Sequence, residues 1–156
     1  MKPKNAVRLD RTIGRLVYRF HHLFYRLTGG LIGHKTHSGP ILLLTTIGRK
    51  SGKKRTHPLL YMPDGPDPSR PERFLVAGSN GGRPDPPAWL LNLQVNPAAH
   101  VQVRWRRFPV KAEILGGDAK MQVWPRMTAH YHGWSYYETL TDRTILPVSL
   151  VPLNDR

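Results

Sequence analysis

Ile41-Leu42-Leu43-Leu44-Thr45-Thr46-Ile47-Gly48-Arg49-Lys50-Ser51-Gly52-Lys53-Lys54-Arg55-Thr56-His57-Pro58-Leu59-Leu60-Tyr61-Met62 is the stretch on which the reading of the chain turns. Ile41 to Thr46 is a short apolar run that suits a strand and ends at Gly48, and Pro58 to Met62 suits a second. Between them lie five cations, two glycines and one hydroxyl. The glycines are expected to free backbone N–H groups, and arginine forks beside them would complete an oxyanion or phosphate cradle. A solvated basic hairpin turn is the competing reading. The stretch is not a P-loop, because its glycine spacing is one short and Lys54 follows Lys53.

Outward from this hairpin the pattern stays mainly β. Phe74–Ala77 reads as a third strand, Val101–Trp105 as a fourth and Phe108–Leu115 as a fifth, the last two joined by a basic turn at Arg106-Arg107. Ile145–Val151 reads as a last strand, and Pro147 with Pro152 argues for an edge position. Pro87–Leu93 starts with a proline suited to a first helical turn. Asp118 is placed to cap a further helix running to about His130. Short antiparallel strands with few helices predict a mainly β (α+β) small barrel wrapped by helices.

Upstream, Leu9, Ile13, Leu16, Val17, Phe20, Phe24 and Leu27 trace one helical face while Arg8, Arg11, Arg15, Arg19, His22 and Arg26 trace another. Thr28-Gly29-Gly30 stops this N-terminal amphipathic helix, giving a division into 1–30 and 31–156 within a single domain. Such a helix either packs on its own domain or lies on an anionic membrane surface.

The chain has 156 residues with a net charge of +14, enough for one compact domain. The charge is uneven: residues 1–56 carry 13 Lys+Arg and the single acid Asp10, so an anionic partner is expected. The absence of cysteine excludes disulfides, thiolate catalysis and cysteine-ligated metals. The histidine pairs His34/His37 and His130/His132 have no third ligand beside them, so no metal site is expected. No run approaches the ~18 apolar residues of a transmembrane helix. No signal-peptide pattern is present, which suggests a cytoplasmic protein, peripheral on the membrane if the first helix binds lipid.

Two further clusters stand out. Ala77-Gly78-Ser79-Asn80-Gly81-Gly82 is a strand end turning through glycines toward the helix at Pro87, where backbone can approach a flat ring closely. Tyr131, Trp134, Tyr136 and Tyr137 concentrate aromatic surface near the C-terminus, either as core or as a substrate wall.

Together, and in this order, Leu44–Gly52 with Arg55 and Pro58-Leu59, then Ser79-Asn80-Gly81-Gly82, Pro87-Ala88-Trp89, Asn92-Leu93 and Asn96-Pro97 resemble the deazaflavin (F420)-dependent nitroreductase family. Trp134, Tyr137, Thr141-Asp142-Arg143 and Ile145 to Pro147 extend the resemblance over about residues 10–152. The resemblance implies a flavin-reductase-like split β-barrel and coenzyme F420, an 8-hydroxy-5-deazaflavin with a phosphate and an oligoglutamate tail. It implies cofactor contacts from Arg49, Lys50, Ser51, Arg55, Thr56, His57 and Pro58. Ala77, Gly78, Ser79 and Asn80, with Ala88, Trp89, Leu90, Leu91 and Asn92, become the ring walls. Leu60, Tyr131, Trp134 and Tyr137 fall at the acceptor, with Ser79 and Tyr137 in catalytic roles. Leu60 stands where nitro-drug-reducing members carry a tyrosine. The implied activity is hydride transfer to a planar electron-poor acceptor: a quinone, an activated alkene or a nitroaromatic. A split-barrel protein that binds flavin mononucleotide or carries its cofactor without turnover is the alternative. A basic nucleic-acid or lipid module is a further one, disfavoured because cations and aromatics occupy opposite ends of the chain. No nucleic acid is therefore expected as a partner.

If the first helix binds anionic lipid, deleting residues 1–28 abolishes sedimentation with anionic vesicles and spares reduction of a soluble acceptor. Loss of folding on deletion would instead make the helix part of the core.

Overall fold

A computed structural model describes residues 35–36 and 39–153. The expected N-terminal helix lies outside the described residues. Eight strands form one antiparallel sheet: β1 (Lys35–Thr36), β2 (Gly39–Ile47), β3 (Lys54–Leu60), β4 (Met62–Asp64), β5 (Arg73–Ala77), β6 (Ala98–Val103), β7 (Arg106–Ile114) and β8 (Pro147–Pro152). Their order is β1-β2-β6-β7-β8-β5-β4, with β3 also paired to β2. Three helices accompany them, α1 (Ala88–Val95), α2 (Gly117–His130) and α3 (Gly133–Glu138), with a 3-10 turn at Asn80–Gly82. The sequence predicts only the first two of these helices. It misses α3 because Gly133 interrupts the pattern and the element is a turn and a half long.

The expected second strand, Pro58–Met62, is the middle of a longer run that changes partner. Lys54 to Leu60 pairs with β2 in the register Leu44↔His57, and Met62 to Asp64 pairs with β5 in the register Met62↔Leu75. At the changeover the Tyr61 N–H donates to the Pro40 carbonyl at 3.1 Å. The Tyr61 ring meets Phe74 edge-on with centroids 5.4 Å apart. One length of chain thus borders both ends of the sheet and curls it into a split barrel.

Burial follows the period-two alternation of strands. Leu42 and Leu44 of β2, Phe74 and Val76 of β5, and Val148 and Leu150 of β8 meet Trp89, Leu90 and Leu93 of α1 in one core. The intervening Leu75 and Ala77 point the other way and meet Val123 and Met127 of α2 and Trp134 of α3. That double burial explains why Phe74–Ala77 is apolar without a break.

Two further expectations are corrected. The hairpin turn falls at Arg104-Trp105, two residues before Arg106-Arg107, because Val103 pairs with Arg106 and Arg104 takes the left-handed φ of 54°. The last strand is not an edge: β8 lies between β7 and β5. Pro147 and Pro152 sit at its two ends, so the missing N–H groups do not interrupt the ladder, and the Pro147 carbonyl accepts from Leu115 N–H at 2.9 Å.

Asp64, at the end of β4, ties the sheet to α2. It accepts from Arg73 Nε at 2.7 Å and from Arg126 Nη1 at 2.6 Å. Burial raises its pKa, and the bonds and charges of the two arginines outweigh that and hold it below the ordinary carboxylate value. A depressed folded-state pKa stabilises the fold above the unfolded-state value, and the contribution vanishes as pH falls through the folded-state value. Arg126 is half-exposed, so solvent screening limits the pair to the ~1 kcal/mol range. Asp64→Asn should therefore lower Tm by about 2–4 °C at pH 7, with the gap closing below pH ~4. Thermal melts of both proteins across pH check this, and a gap that persists at pH 2 contradicts it.

Candidate functional site

Two hollows share a wall where β3 faces the end of β5. The first, about 460 Å³, lies between His57 and Leu59 of β3, then Ala77, Ser79, Asn80 and Gly81, and the start of α1 at Pro87, Ala88 and Trp89, with Gly78 lining neither hollow. The second, about 280 Å³, lies between Pro58, Leu59 and Leu60 on one side and Tyr131, Trp134 and Tyr137 on the other. Leu59, Ala77, Ser79 and Gly81 line both. A ligand in one is thus separated from a ligand in the other only by space that these four residues border.

The shared wall is built for close approach. Gly78 packs so tightly on α1 that an added Cβ would stand 2.7 Å from Leu90 Cδ2 and 3.2 Å from the Leu146 carbonyl. Asn80, Gly81 and Gly82 all take left-handed φ, at 48°, 63° and 75°. At Gly81 nothing stands within 4 Å of where a side chain would begin, so the floor there is open. Ser79 is buried, yet its hydroxyl makes no hydrogen bond among the described residues and borders both hollows.

Beside the first hollow lies the basic turn. Four of its amides are bonded within the fold. Gly48 N–H donates to the Lys53 carbonyl at 2.8 Å, Gly52 N–H to the Gly48 carbonyl at 2.7 Å, and Lys53 N–H to Ser51 Oγ at 3.3 Å. Arg49 N–H donates to Asn92 Oδ1 at 3.1 Å. Three of these donors close the turn and the fourth ties it to α1, while the cationic side chains face solvent. Lys50, Lys53, Lys54 and Arg55 are exposed and have no carboxylate partner among the described residues.

Asn92 is an anchor and not a wall. Buried on α1, it accepts from both the backbone N–H and Nη1 of Arg49 and donates to Thr46 Oγ1 at 3.1 Å. Leu90 is likewise core, and Leu91 borders neither hollow. Thr56 points away: it bonds Thr45 Oγ1 at 2.8 Å and lines a groove of about 340 Å³ with His100, Gln102 and Arg107 on the opposite face of β3. Pro58 falls in the second hollow instead of the first. Sequence reasoning passed over Leu59, which its alternation with His57 along β3 would have assigned. It also gave no role to Arg143, whose guanidinium reaches the loop carrying Ser79.

The second hollow has its own chemistry. Tyr131 closes α2 and Tyr137 lies on α3, with their hydroxyls 3.5 Å apart. That contact, followed by burial, raises the pKa of Tyr137 above the usual phenol value. Tyr137 thus stays protonated throughout the neutral range and can donate a hydrogen bond. Trp134 is 3% exposed and meets Tyr131 edge-on at 5.5 Å, so it is core with one edge on the hollow.

A split barrel with paired hollows at its seam and a cationic turn beside them defines the flavin-reductase-like class. A model of the F420H(2)-dependent quinone reductase family matches residues 17–152, and the chain belongs to that family. It is 32% identical to an F420H(2)-dependent quinone reductase of Mycobacterium tuberculosis (strain H37Rv), over 95% of this chain and 96% of that one. Among solved structures, an F420-H2 dependent reductase (FDR-A) is 33% identical with a TM-score of 0.61, over 71% of this chain and 93% of the other. A domain-swapped dimer is 27% identical with a TM-score of 0.64, over 94% and 99%.

Asn92→Ala removes two hydrogen bonds that tie Arg49 of the basic turn to α1 and a third that ties α1 to Thr46 of β2. Leaving buried polar partners unpaired costs about 1–3 kcal/mol, so Tm should fall by several degrees. Ser51→Ala, in the same turn but exposed, should shift it by less than about 1 °C. Differential scanning calorimetry of the two variants decides between anchor and wall.

Proposed function

We propose that this chain is an oxidoreductase that passes hydride from reduced coenzyme F420 to a quinone, with the cofactor in the first hollow and the acceptor in the second. The shared wall is the observation that carries the reading. Catalysis between two bound molecules depends mainly on holding donor and acceptor face to face without intervening water. Ala77 and Ser79 are placed to do that for both.

The residues present fit the cofactor. Its phosphate and oligoglutamate tail match the unpaired cations Lys50 and Arg55, with Ser51 beside them and Arg49 fixed by Asn92. Its flat ring matches the slot between Ala77–Asn80 and Ala88-Trp89, opposite His57. Bound there, the reduced deazaflavin supplies the hydride. The protein supplies position and a proton. The unpartnered Ser79 hydroxyl and the Tyr137 phenol border the acceptor space, and either can donate a hydrogen bond to the oxygen that gains charge. Tyr131 shares its hydroxyl contact with Tyr137 and keeps that phenol protonated. Leu60, Trp134 and Pro58 make the rest of the acceptor space apolar and flat, as a quinone ring requires.

The strongly basic first third suggests peripheral attachment to the inner face of an anionic membrane, which would bring the site to lipid-borne quinones. Among the described residues no helix is long and apolar enough to cross a membrane.

Fluorescence titration with F420 and flavin mononucleotide, side by side, tests the reading, together with a quinone-reduction assay. F420 should bind and flavin mononucleotide should not compete at equal concentration. Arg55→Ala should weaken F420 at least about tenfold at low salt, as expected for a charge-assisted contact of about 1.5–3 kcal/mol, and added salt should shrink the difference. Unchanged affinity in Arg55→Ala would return the turn to a solvated hairpin. Preference for flavin mononucleotide would overturn the cofactor.

A further inference from the structure

Arg143 lies in the segment after α3, outside both hollows. Its guanidinium donates to three backbone carbonyls: Gly78 through Nη1 at 3.0 Å, Ser79 through Nη2 at 2.7 Å and Arg83 through Nε at 3.0 Å. No carboxylate pairs with it among the described residues. A planar fork is the side chain best suited to collect several acceptors at fixed angles.

The three carbonyls belong to the loop that forms the shared wall. That loop turns through three consecutive left-handed residues, Asn80, Gly81 and Gly82. Its internal ladder is thin: Gly82 N–H donates to Ser79 O at 2.9 Å and Arg83 N–H to Asn80 O at 3.3 Å. The same loop presses on the end of α3, since a Cβ at Gly82 would stand 2.9 Å from the Tyr137 carbonyl and 2.8 Å from Leu140 Cβ. Arg143 therefore joins the loop bearing Ser79 to the chain that leaves the helix bearing Tyr137.

We infer that Arg143 is the positioning residue of this site: by binding the Gly78, Ser79 and Arg83 carbonyls at once, it fixes the Ser79 wall against α3 and so sets the separation of the two hollows. Burial also lowers its pKa, partly offset by Asp85, in keeping with a guanidinium drawn into the fold as a clamp. The inference rests on the proposed function only for its kinetic arm.

The test uses the full chain, wild type, Arg143→Lys and Arg143→Gln, with Val110→Ala, a buried β7 residue that lines neither hollow, as a destabilised control. Hydrogen exchange is read first, without any ligand. Arg143→Lys should raise exchange at least about tenfold in peptides covering 78–83 and 137–142 and leave β2 and β6 unchanged. Val110→Ala should not reproduce that pattern. Quinone reduction is read second, below the melting range. Misplacement of a reacting pair by a fraction of an ångström costs rate, so kcat should fall about tenfold in Arg143→Lys and further in Arg143→Gln, with F420 affinity within about threefold. Exchange and kcat both within twofold of wild type, or losses no larger than those of Val110→Ala at matched Tm, overturn the inference. A wild type that binds F420 but reduces no quinone overturns the proposed function, and exchange alone then decides Arg143.

Discussion

The change of partner at Tyr61 is the constraint on which the rest of the molecule depends. A single extended run, Lys54 to Asp64, pairs with β2 and then with β5, the two strands that would otherwise leave the sheet open. The Tyr61 N–H bond to Pro40 and its ring contact with Phe74 fix the point of exchange. Because the sheet curls there, His57 and Leu59 come to face Ala77 and Ser79, which are some twenty residues away in sequence. The seam is therefore the place where backbone from two strands leaves room for a ligand, and both hollows open along it.

The electrostatics divide along the same seam. At one end the basic turn is held by its own backbone bonds and by Asn92, and its exposed cations form a surface whose attraction for anions salt would screen. Such a surface suits a polyanionic tail of variable length better than a rigid amide cradle would. At the other end the Tyr131–Tyr137 hydroxyl contact, with partial burial, favours the neutral Tyr137 phenol.

Two polar side chains, buried Asn92 and half-buried Arg143, connect the two ends to the frame. Asn92 links the turn to α1 and Thr46 of β2, and Arg143 links the loop after β5 to the chain after α3. Each satisfies several partners with one side chain, and each lies behind the surface a ligand would touch. Of the residues that the sequence suggested as contacts, His57, Ala77, Ser79, Asn80, Ala88 and Trp89 line the first hollow and Pro58, Leu60, Tyr131, Trp134 and Tyr137 the second. Asn92 and Leu90 instead hold the wall that they were expected to form, and Thr56, expected among the cofactor contacts, faces the other side of β3.

The sequence by itself determined what is local: the apolar runs that became β2 and β5, the glycine bend after Ala77, the proline start of α1 and the concentration of charge in the turn. Alternation and turn chemistry act over a few residues, so they were legible without a structure. Its ordered motifs also carried the family resemblance. What the tertiary structure decided is every relation that depends on a distant partner. The place of β8 inside the sheet came from pairing with β7 and β5, which its terminal prolines do not obstruct. The facing of Thr56 and His57 to opposite sides followed from the register of β3 on β2, and a one-residue slip would have exchanged them. The fate of the Arg49 amide was set by Asn92, 43 residues away, and that of the Ser79 carbonyl by Arg143, 64 residues away. A hydrogen bond is satisfied by whichever group the fold brings within about 3 Å, and sequence spacing carries no record of that distance.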